Sequence, residues 1–516
     1  EVLWKMGRLG SVELSPDRTQ VLYTVTHVNL RENKSGTRIY LQGVADNTAR
    51  LLVEGASSPQ WCKGGNKIVF LKNVEGLPQL FELSLDANAQ PRQLTTFRDG
   101  IDSYWLSPNA THLLYSQKVQ VEKTAKDLYP DYPEVNLHIS DSLMYRHWDY
   151  WLDGKYSHLF LTDFSNEKIE EGKDLMKDEP YDSPIAPYFG VEDVVWSPNN
   201  DVIYYVSKKQ TDIAYATSTN SDIYRYSLAD GTTTNLTSEN PGYDKLPVPS
   251  PDGAYLLWQQ MRTPGYESDK MELMRLNLET GEKTPLTENW DQNADDFHWS
   301  PDSKTIYITS GIKGTVQVFE LDPESRSIQQ ITDGQWNVKW ARRTANNEWL
   351  VMTTQLNKAA EIYTYRNGEL TPFTHINQDI YAAIKFSKVE PRWMRTTDGG
   401  NMLTWIIYPP DFDSTKRYPT ILYCQGGPQS TVSQFFSYRW NLQLMASMGY
   451  VVVAPNRHGV PSFGQKWNAQ ISGDYSGQNI RDYLTAIDEI AKEPWCDKDR
   501  LGAVGASYGG YSVYYL

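Results

Sequence analysis

At 516 residues the chain is too long for one ordinary domain, and two sizeable cores are expected. Hydrophobic residues make up 40% and charged residues 22%, the balance of a globular protein, and no apolar run is long enough to cross a bilayer. A formal net charge of −15 with no block of Lys and Arg repels phosphate backbones and excludes nucleic acid as an expected partner.

The first stretch of the chain, to about residue 385, repeats. Ser-Pro-Asp or Ser-Pro-Asn precedes an apolar strand carrying an aromatic residue, at Ser15 (Tyr23), Ser107 (Tyr115), Ser197 (Tyr204), Ser250 (Trp258) and Ser300 (Tyr307). Degenerate copies run from Ser58 and from Asn346-Asn347. Pro presets its backbone angle and Asp or Asn bonds back to the chain, so each motif predicts a tight turn. A second strand of alternating type follows each copy, as in Ile39-Tyr40-Leu41 or Leu80-Phe81-Glu82-Leu83. Both markers count to seven, which predicts an all-β, seven-bladed propeller over 1–385. The interval from Ser107 to Ser197 is about twice the others and predicts an insertion near 120–156. Its run Met144-Tyr145-Arg146-His147-Trp148-Asp149-Tyr150-Trp151 either lines a substrate cavity or packs on its own blade. Of the carboxylates in this half, Glu170-Glu171 follows Asn166-Glu167-Lys168-Ile169 and reads as a solvated hairpin turn.

From about residue 386 strands alternate with helices, the signature of a mostly parallel, doubly wound sheet. Asp398-Gly399-Gly400 turns a hairpin, and Thr420 to Cys424 is a buried strand ending in Gln425-Gly426-Gly427-Pro428. A helix is predicted from Val432 to Met448, stopped by Gly449. Tyr450 to Ala454 is a second buried strand, Ile480 to Ala491 an amphipathic helix, and Leu501 to Val504 the next strand. The three cysteines, Cys62, Cys424 and Cys496, match no zinc spacing and read as isolated thiols. No metal or other cofactor is expected, since no Walker loop, His-Glu-x-x-His or EF-hand spacing occurs.

The last strand runs into Gly505-Ala506-Ser507-Tyr508-Gly509-Gly510, a Gly-x-Ser-x-Gly nucleophile elbow in its required strand-to-helix setting. A turn that sharp leaves no room for side chains beside the serine, and it lifts the Ser507 hydroxyl above the sheet. The amide of Tyr508 can then donate to a developing oxyanion. The contrasting reading is a propeller scaffold with a dead hydrolase appendage.

Propeller, Gly-Gly-Pro loop and Gly-Ala-Ser-Tyr-Gly-Gly-Tyr together resemble the prolyl oligopeptidase family along the whole chain. Asp499 to Tyr511 is most similar to the acylaminoacyl-peptidase and dipeptidyl-peptidase V branch, and Trp4-Lys5-Met6-Gly7-Arg8 suggests a bacterial member. The resemblance implies a serine peptidase acting on oligopeptide substrates through an acyl-enzyme on Ser507. Release of N-terminal dipeptides is the first expectation, with acylaminoacyl-peptidase or oligopeptidase activity as rivals. It implies that Tyr508 serves by amide and ring, and that Gln425, Gly426 and Tyr511 border the substrate. Gln425 stands where the family usually has Tyr or His. A periplasmic or secreted location is expected, with the cytoplasm as the alternative, and a homodimer is an open assembly. In α/β-hydrolases the acid and the His follow the serine. The nine residues after Ser507 contain no Asp, Glu or His. A truncated α/β-hydrolase domain over 386–516, inactive alone, is therefore expected. His458 reads as a loop residue and not as the base.

Overall fold

The computed structural model describes residues 2–46, 48–164, 168–185 and 190–516. From Arg8 to Pro372 the strands form antiparallel sheets taken in chain order. Four-stranded sheets span 8–54, 56–93, 103–174, 194–235 and 244–285, and an eight-stranded sheet spans 296–372. Within the last, the strands of 296–330 meet those of 337–372 through one parallel pair, Val316 and Asn337.

Each sheet is apolar on both faces and covers them with its neighbours. Leu22 and Ile39 pack on Ile68 and Phe70. Val69 and Leu80 then pack on Tyr104 and Leu113, and Trp105 and Leu159 on Trp196 and Tyr205. Tyr204 and Ile223 meet Trp258 and Met274, Leu257 and Leu273 meet Phe297 and Ile308, and Tyr307 and Val318 meet Val338 and Val351. The ring closes where Val12, Val21 and Tyr23 meet Leu350, Met352 and Ile362. This is a β-propeller. Side chains make the closure: the Gly7 amide donates to Asn377 Oδ1 at 2.8 Å, and Asn377 Nδ2 donates to the Gly7 carbonyl at 2.9 Å.

The repeated turns use more of the serine than expected. Ser250 Oγ donates to Asp252 Oδ1 and accepts the Tyr255 amide at 2.9 Å; Ser15 and Ser300 act alike, Ser107 does so with Asn109, and Ser197 donates to Asp201, four residues on. Two copies differ from the sequence reading. Ser58-Pro59 lies inside the strand Ala56–Trp61 at an irregularity in its pairing, and the turn falls at Cys62, whose amide bonds the Lys67 carbonyl. Near Asn346-Asn347, Thr344 takes the serine position and accepts the Glu348 amide. A Pro marks a turn only where the strand ends, and here the ladder continues past it.

The long interval is an excursion within one sheet, because His112–Gln120 pairs with Lys155–Asp163 across it. The excursion carries exposed aromatics, with Trp148 at 81% exposure. Glu170 forms an exposed pair with Lys168, and Glu171 accepts the Arg98 amide, while Asn166 and Glu167 lie outside the described residues.

The second sheet runs Val389–Arg395, Asn401–Ile407, Val451–Pro455, Tyr418–Cys424, Cys496–Gly505 in spatial order. The last three strands are mutually parallel and the first two antiparallel. Alternate residues face opposite ways. Leu422, Cys424, Val451 and Val453 pack under Ile480, Tyr483 and Ile490 of the helix Gln478–Ile490. Tyr423, Val452 and Ala454 face Leu442 and Ala446, with Leu356 of the propeller. Only Leu442–Ser447 of the helix expected from Val432 is helical. The segment before it is held extended by long-range partners: Gln434 N donates to Asn337 Oδ1, Phe436 N to Thr354 Oγ1, and Asn441 caps the short helix. The propeller rests on this sheet, with Lys313 N donating to the Ser462 carbonyl at 2.7 Å and Gln465 N to Asp291 Oδ1 at 2.8 Å.

Candidate active site

Three parallel neighbours, Val451–Pro455, Tyr418–Cys424 and Cys496–Gly505, end on the same side of the sheet. Their loops carry Arg457-His458, Gln425 to Pro428, and Ser507. Ligands of open α/β sheets bind at such carboxyl ends.

Ser507 is exposed and sits at φ 57, ψ −127, ahead of the helix Tyr508–Tyr515. Holding a non-glycine residue there costs roughly 1–3 kcal/mol. The turn is kept by Gly509 N donating to the Ala506 carbonyl at 2.9 Å and Tyr511 N to the Ser507 carbonyl at 3.0 Å. Glycine is required on both sides. A Cβ on Gly505 would lie 2.4 Å from the Gly509 carbonyl oxygen, and one on Gly509 would lie 2.1 Å from that of Cys424. The glycines thus let the helix start directly against the neighbouring strand end.

A Cβ on Gly426 would stand 2.9 Å from the Ala506 carbonyl oxygen and 3.7 Å from Ser507 Cβ, so the backbone of this loop borders the nucleophile. The Gln425 side chain turns into its own loop and donates to Ser430 Oγ at 3.0 Å. Tyr508 begins the helix, where amides have no preceding turn to bond. Its ring is buried, and its hydroxyl donates to the Tyr475 carbonyl at 2.8 Å and accepts from Asn479. Burial raises its phenol above the ordinary value, with the Arg457 charge opposing. Tyr511 is 41% exposed, with its ring 5.5 Å from that of Tyr508. Burial pushes the Cys424 thiol up to about 12, which keeps it protonated and inert.

His458 is engaged elsewhere. Nδ1 and the backbone amide both meet Asp482 Oδ2, at 2.6 and 2.8 Å, and the ring stacks on Trp467 at 3.5 Å. Among the described residues no His, Asp or Glu hydrogen-bonds to Ser507. The sequence reading passed over Arg457, which is fully buried behind both loops. Its signal was a lone charge two residues past the wholly apolar strand Val451–Pro455.

A model of the prolyl oligopeptidase family matches residues 436–516. Dipeptidyl-peptidase 5 of Porphyromonas gingivalis is 43% identical over the whole of this chain and 76% of its own length. The chain belongs to the prolyl oligopeptidase family. A second relative in the family, dipeptidyl-peptidase 5 of Porphyromonas endodontalis, is 41% identical over the whole chain and 75% of its own length. An acylaminoacyl peptidase solved in complex with Z-Gly-Gly-Phe-chloromethyl ketone superposes with a TM-score of 0.80 at 20% identity, over 99% of this chain and 75% of that one. The acylaminoacyl peptidase of Pyrococcus horikoshii gives 0.79 at 21%, with coverage of 99% and 75%. At such identity the two structures share the fold, a propeller with an α/β-hydrolase sheet. Membership of this peptidase family makes the chain a serine-type hydrolase.

Proposed function

We propose that this chain forms the propeller and the nucleophile-bearing part of a dipeptidyl peptidase that releases N-terminal dipeptides from short peptides. The observation that carries the reading is the elbow, with Ser507 raised at a strand end and the Gly426 backbone beside it. The names of the two Porphyromonas relatives favour dipeptide release. Ser507 Oγ attacks the carbonyl of the second residue and gives its proton to a base. The oxyanion accepts the amides of Tyr508 and Gly426. The bond to the leaving amine breaks as that amine takes the proton, and water then frees the dipeptide from Ser507. Gln425 supports the loop through Ser430, and the rings of Tyr508 and Tyr511 wall the pocket before the scissile bond.

Seven shared cores support seven blades, with the propeller over 1–385 and the catalytic domain from 386. The base and its carboxylate are proposed to lie outside these 516 residues. In support, one edge of the strand Cys496–Gly505 pairs with no strand among the described residues, with Leu501 at 42% and Tyr514 at 96% exposure. Edges and apolar faces of this kind are normally covered. A fluorophosphonate probe tests the reading: the complete protein is labelled at Ser507, and residues 1–516 alone react at least about a hundredfold more slowly. Absence of label, or a Ser507→Ala variant that still cleaves, would sink it. Faster turnover of N-acetylated or internally quenched peptides than of free-amine dipeptidyl substrates would move the activity to acylaminoacyl-peptidase or oligopeptidase.

A further inference from the structure

Arg457 has 0% solvent exposure. Placing a guanidinium out of water costs several kcal/mol unless an anion or a complete set of acceptors meets it. Here the partners are neutral. Nε donates to the Tyr483 hydroxyl at 3.2 Å, one terminal nitrogen to the His458 carbonyl at 2.9 Å, and the other to the Pro428 carbonyl at 3.0 Å. The guanidinium also lies over two rings, 4.7 Å from the centre of Tyr508 and 5.7 Å from that of Tyr483. No carboxylate among the described residues is in ion-pair reach of it. Asp482, which reaches the adjacent His458, spends its oxygens on that residue and on Gln478.

These partners build the two arms of the oxyanion site. Pro428 ends the turn whose Gly426 backbone borders Ser507, and Tyr508 opens the nucleophile helix. Tyr483 takes Nε of Arg457 and donates its own hydroxyl to the Gln425 carbonyl at 3.5 Å. One side chain therefore ties the loop to the helix. It also leaves beside the resting site a positive charge that no carboxylate among the described residues contacts, in surroundings from which water is excluded. Such a charge is worth most when a negative charge develops in front of it, and little before.

We propose that Arg457 is a positioning residue for this reaction: it locks the Gly426–Pro428 turn against Tyr508 and supplies the positive charge that the oxyanion balances. The assignment rests on the oxyanion site described above. Ground-state binding gains nothing from it, so its removal is read in kcat and not in KM.

The test uses the complete protein, with Arg457→Met to remove the charge at similar volume and Arg457→Lys to keep it. Four quantities are read: kcat and KM on a dipeptidyl aminomethylcoumarin, affinity for a dipeptide boronic acid, affinity for the product dipeptide, and melting temperature. The boronic acid forms a tetrahedral anion on Ser507 and so reports oxyanion stabilisation. Arg457→Met lowers kcat by roughly 10²–10³-fold with KM within about threefold. Boronate affinity falls in parallel while product affinity holds, and Arg457→Lys recovers part of both losses. A folded Arg457→Met enzyme with kcat within about threefold of the parent overturns the proposal, as does equal loss of boronate and product affinity. If neither variant folds, Tyr483→Phe decides. Losing the hydroxyl between Arg457 and Gln425 lowers kcat by about 3–10-fold at constant product affinity, and an unchanged kcat overturns the proposal. Ser507→Ala separates the two levels: an active variant defeats the whole site, whereas an inactive one beside a normal Arg457→Met defeats this assignment alone.

Discussion

The doubled glycine after Tyr508 gives a prediction in which adjacent residues respond in opposite directions. A Cβ on Gly509 would lie 2.1 Å from the Cys424 carbonyl oxygen and 3.2 Å from the Gln425 carbonyl carbon, so it meets only backbone. In a close-packed interior one of the two chains must retreat by about 1 Å. Overpacking of this kind costs roughly 1–3 kcal/mol. The displaced atoms belong to the two arms that must converge on the substrate carbonyl, and a misplacement of that size lowers a rate by about 10²-fold. At Gly510 the nearest atom to a Cβ is the Gly505 carbonyl oxygen at 3.7 Å, an ordinary contact, and the residue is helical. Alanine there stabilises the helix by about 0.5–1 kcal/mol. In the complete protein, Gly509→Ala therefore melts several degrees lower and reacts with fluorophosphonate about a hundredfold more slowly, while Gly510→Ala melts higher and reacts at the parental rate. Parental reactivity in Gly509→Ala, or equal damage at the two positions, would refute the reasoning.

Ser250→Ala removes a hydroxyl that bonds both Asp252 and the Tyr255 amide, and it should cost about 1–2 kcal/mol in thermal unfolding. No loss would show that the turn holds by Pro alone. Asn377→Ala breaks both bonds to Gly7, leaving the buried amide unpaired and the carbonyl with the Tyr438 hydroxyl alone, at a cost of about 1–3 kcal/mol. Hydrogen exchange at the first strand, Arg8–Leu14, should rise in that variant, and unchanged exchange would place the closure elsewhere. Burial pushes the Asp193 carboxyl up to about 7. Between its unfolded value of about 4 and that folded value the unfolded chain alone releases the proton, so Asp193 destabilises the fold increasingly as pH rises through this window. Asp193→Asn keeps an oxygen for the Leu246 amide and lacks the titration, so by thermal unfolding it gains stability relative to the parent as pH rises from about 4 to about 7. Parallel pH curves for the two would refute this.

The parts of the chain that could be read directly are those whose physics is local. A serine hydroxyl that donates to an Asp or Asn side chain two or four residues on and accepts the amide five residues on makes its own turn, so the repeats were visible at Ser15, Ser107, Ser197, Ser250 and Ser300. The elbow was visible for the same reason, since Gly505 and Gly509 excuse each other's backbone within five residues. The unbroken apolar run Val451–Pro455 marked a strand buried on both faces. Where partners are distant in sequence, pattern misled or stayed silent. Ser58-Pro59 resembles a turn, yet the ladder with the strand Lys67–Val74 carries it through to Cys62. The apolar spacing after Val432 fits a helix, yet Asn337 and Thr354, 97 and 82 residues before the amides they bond, hold it extended. Ring closure depends on Gly7 and Asn377, 370 residues apart. Arg457 became important only when Pro428, Tyr483 and Tyr508 were brought around it. Short-range hydrogen bonds and periodic burial are properties of neighbouring residues, whereas desolvation of a charge is a property of everything folded about it.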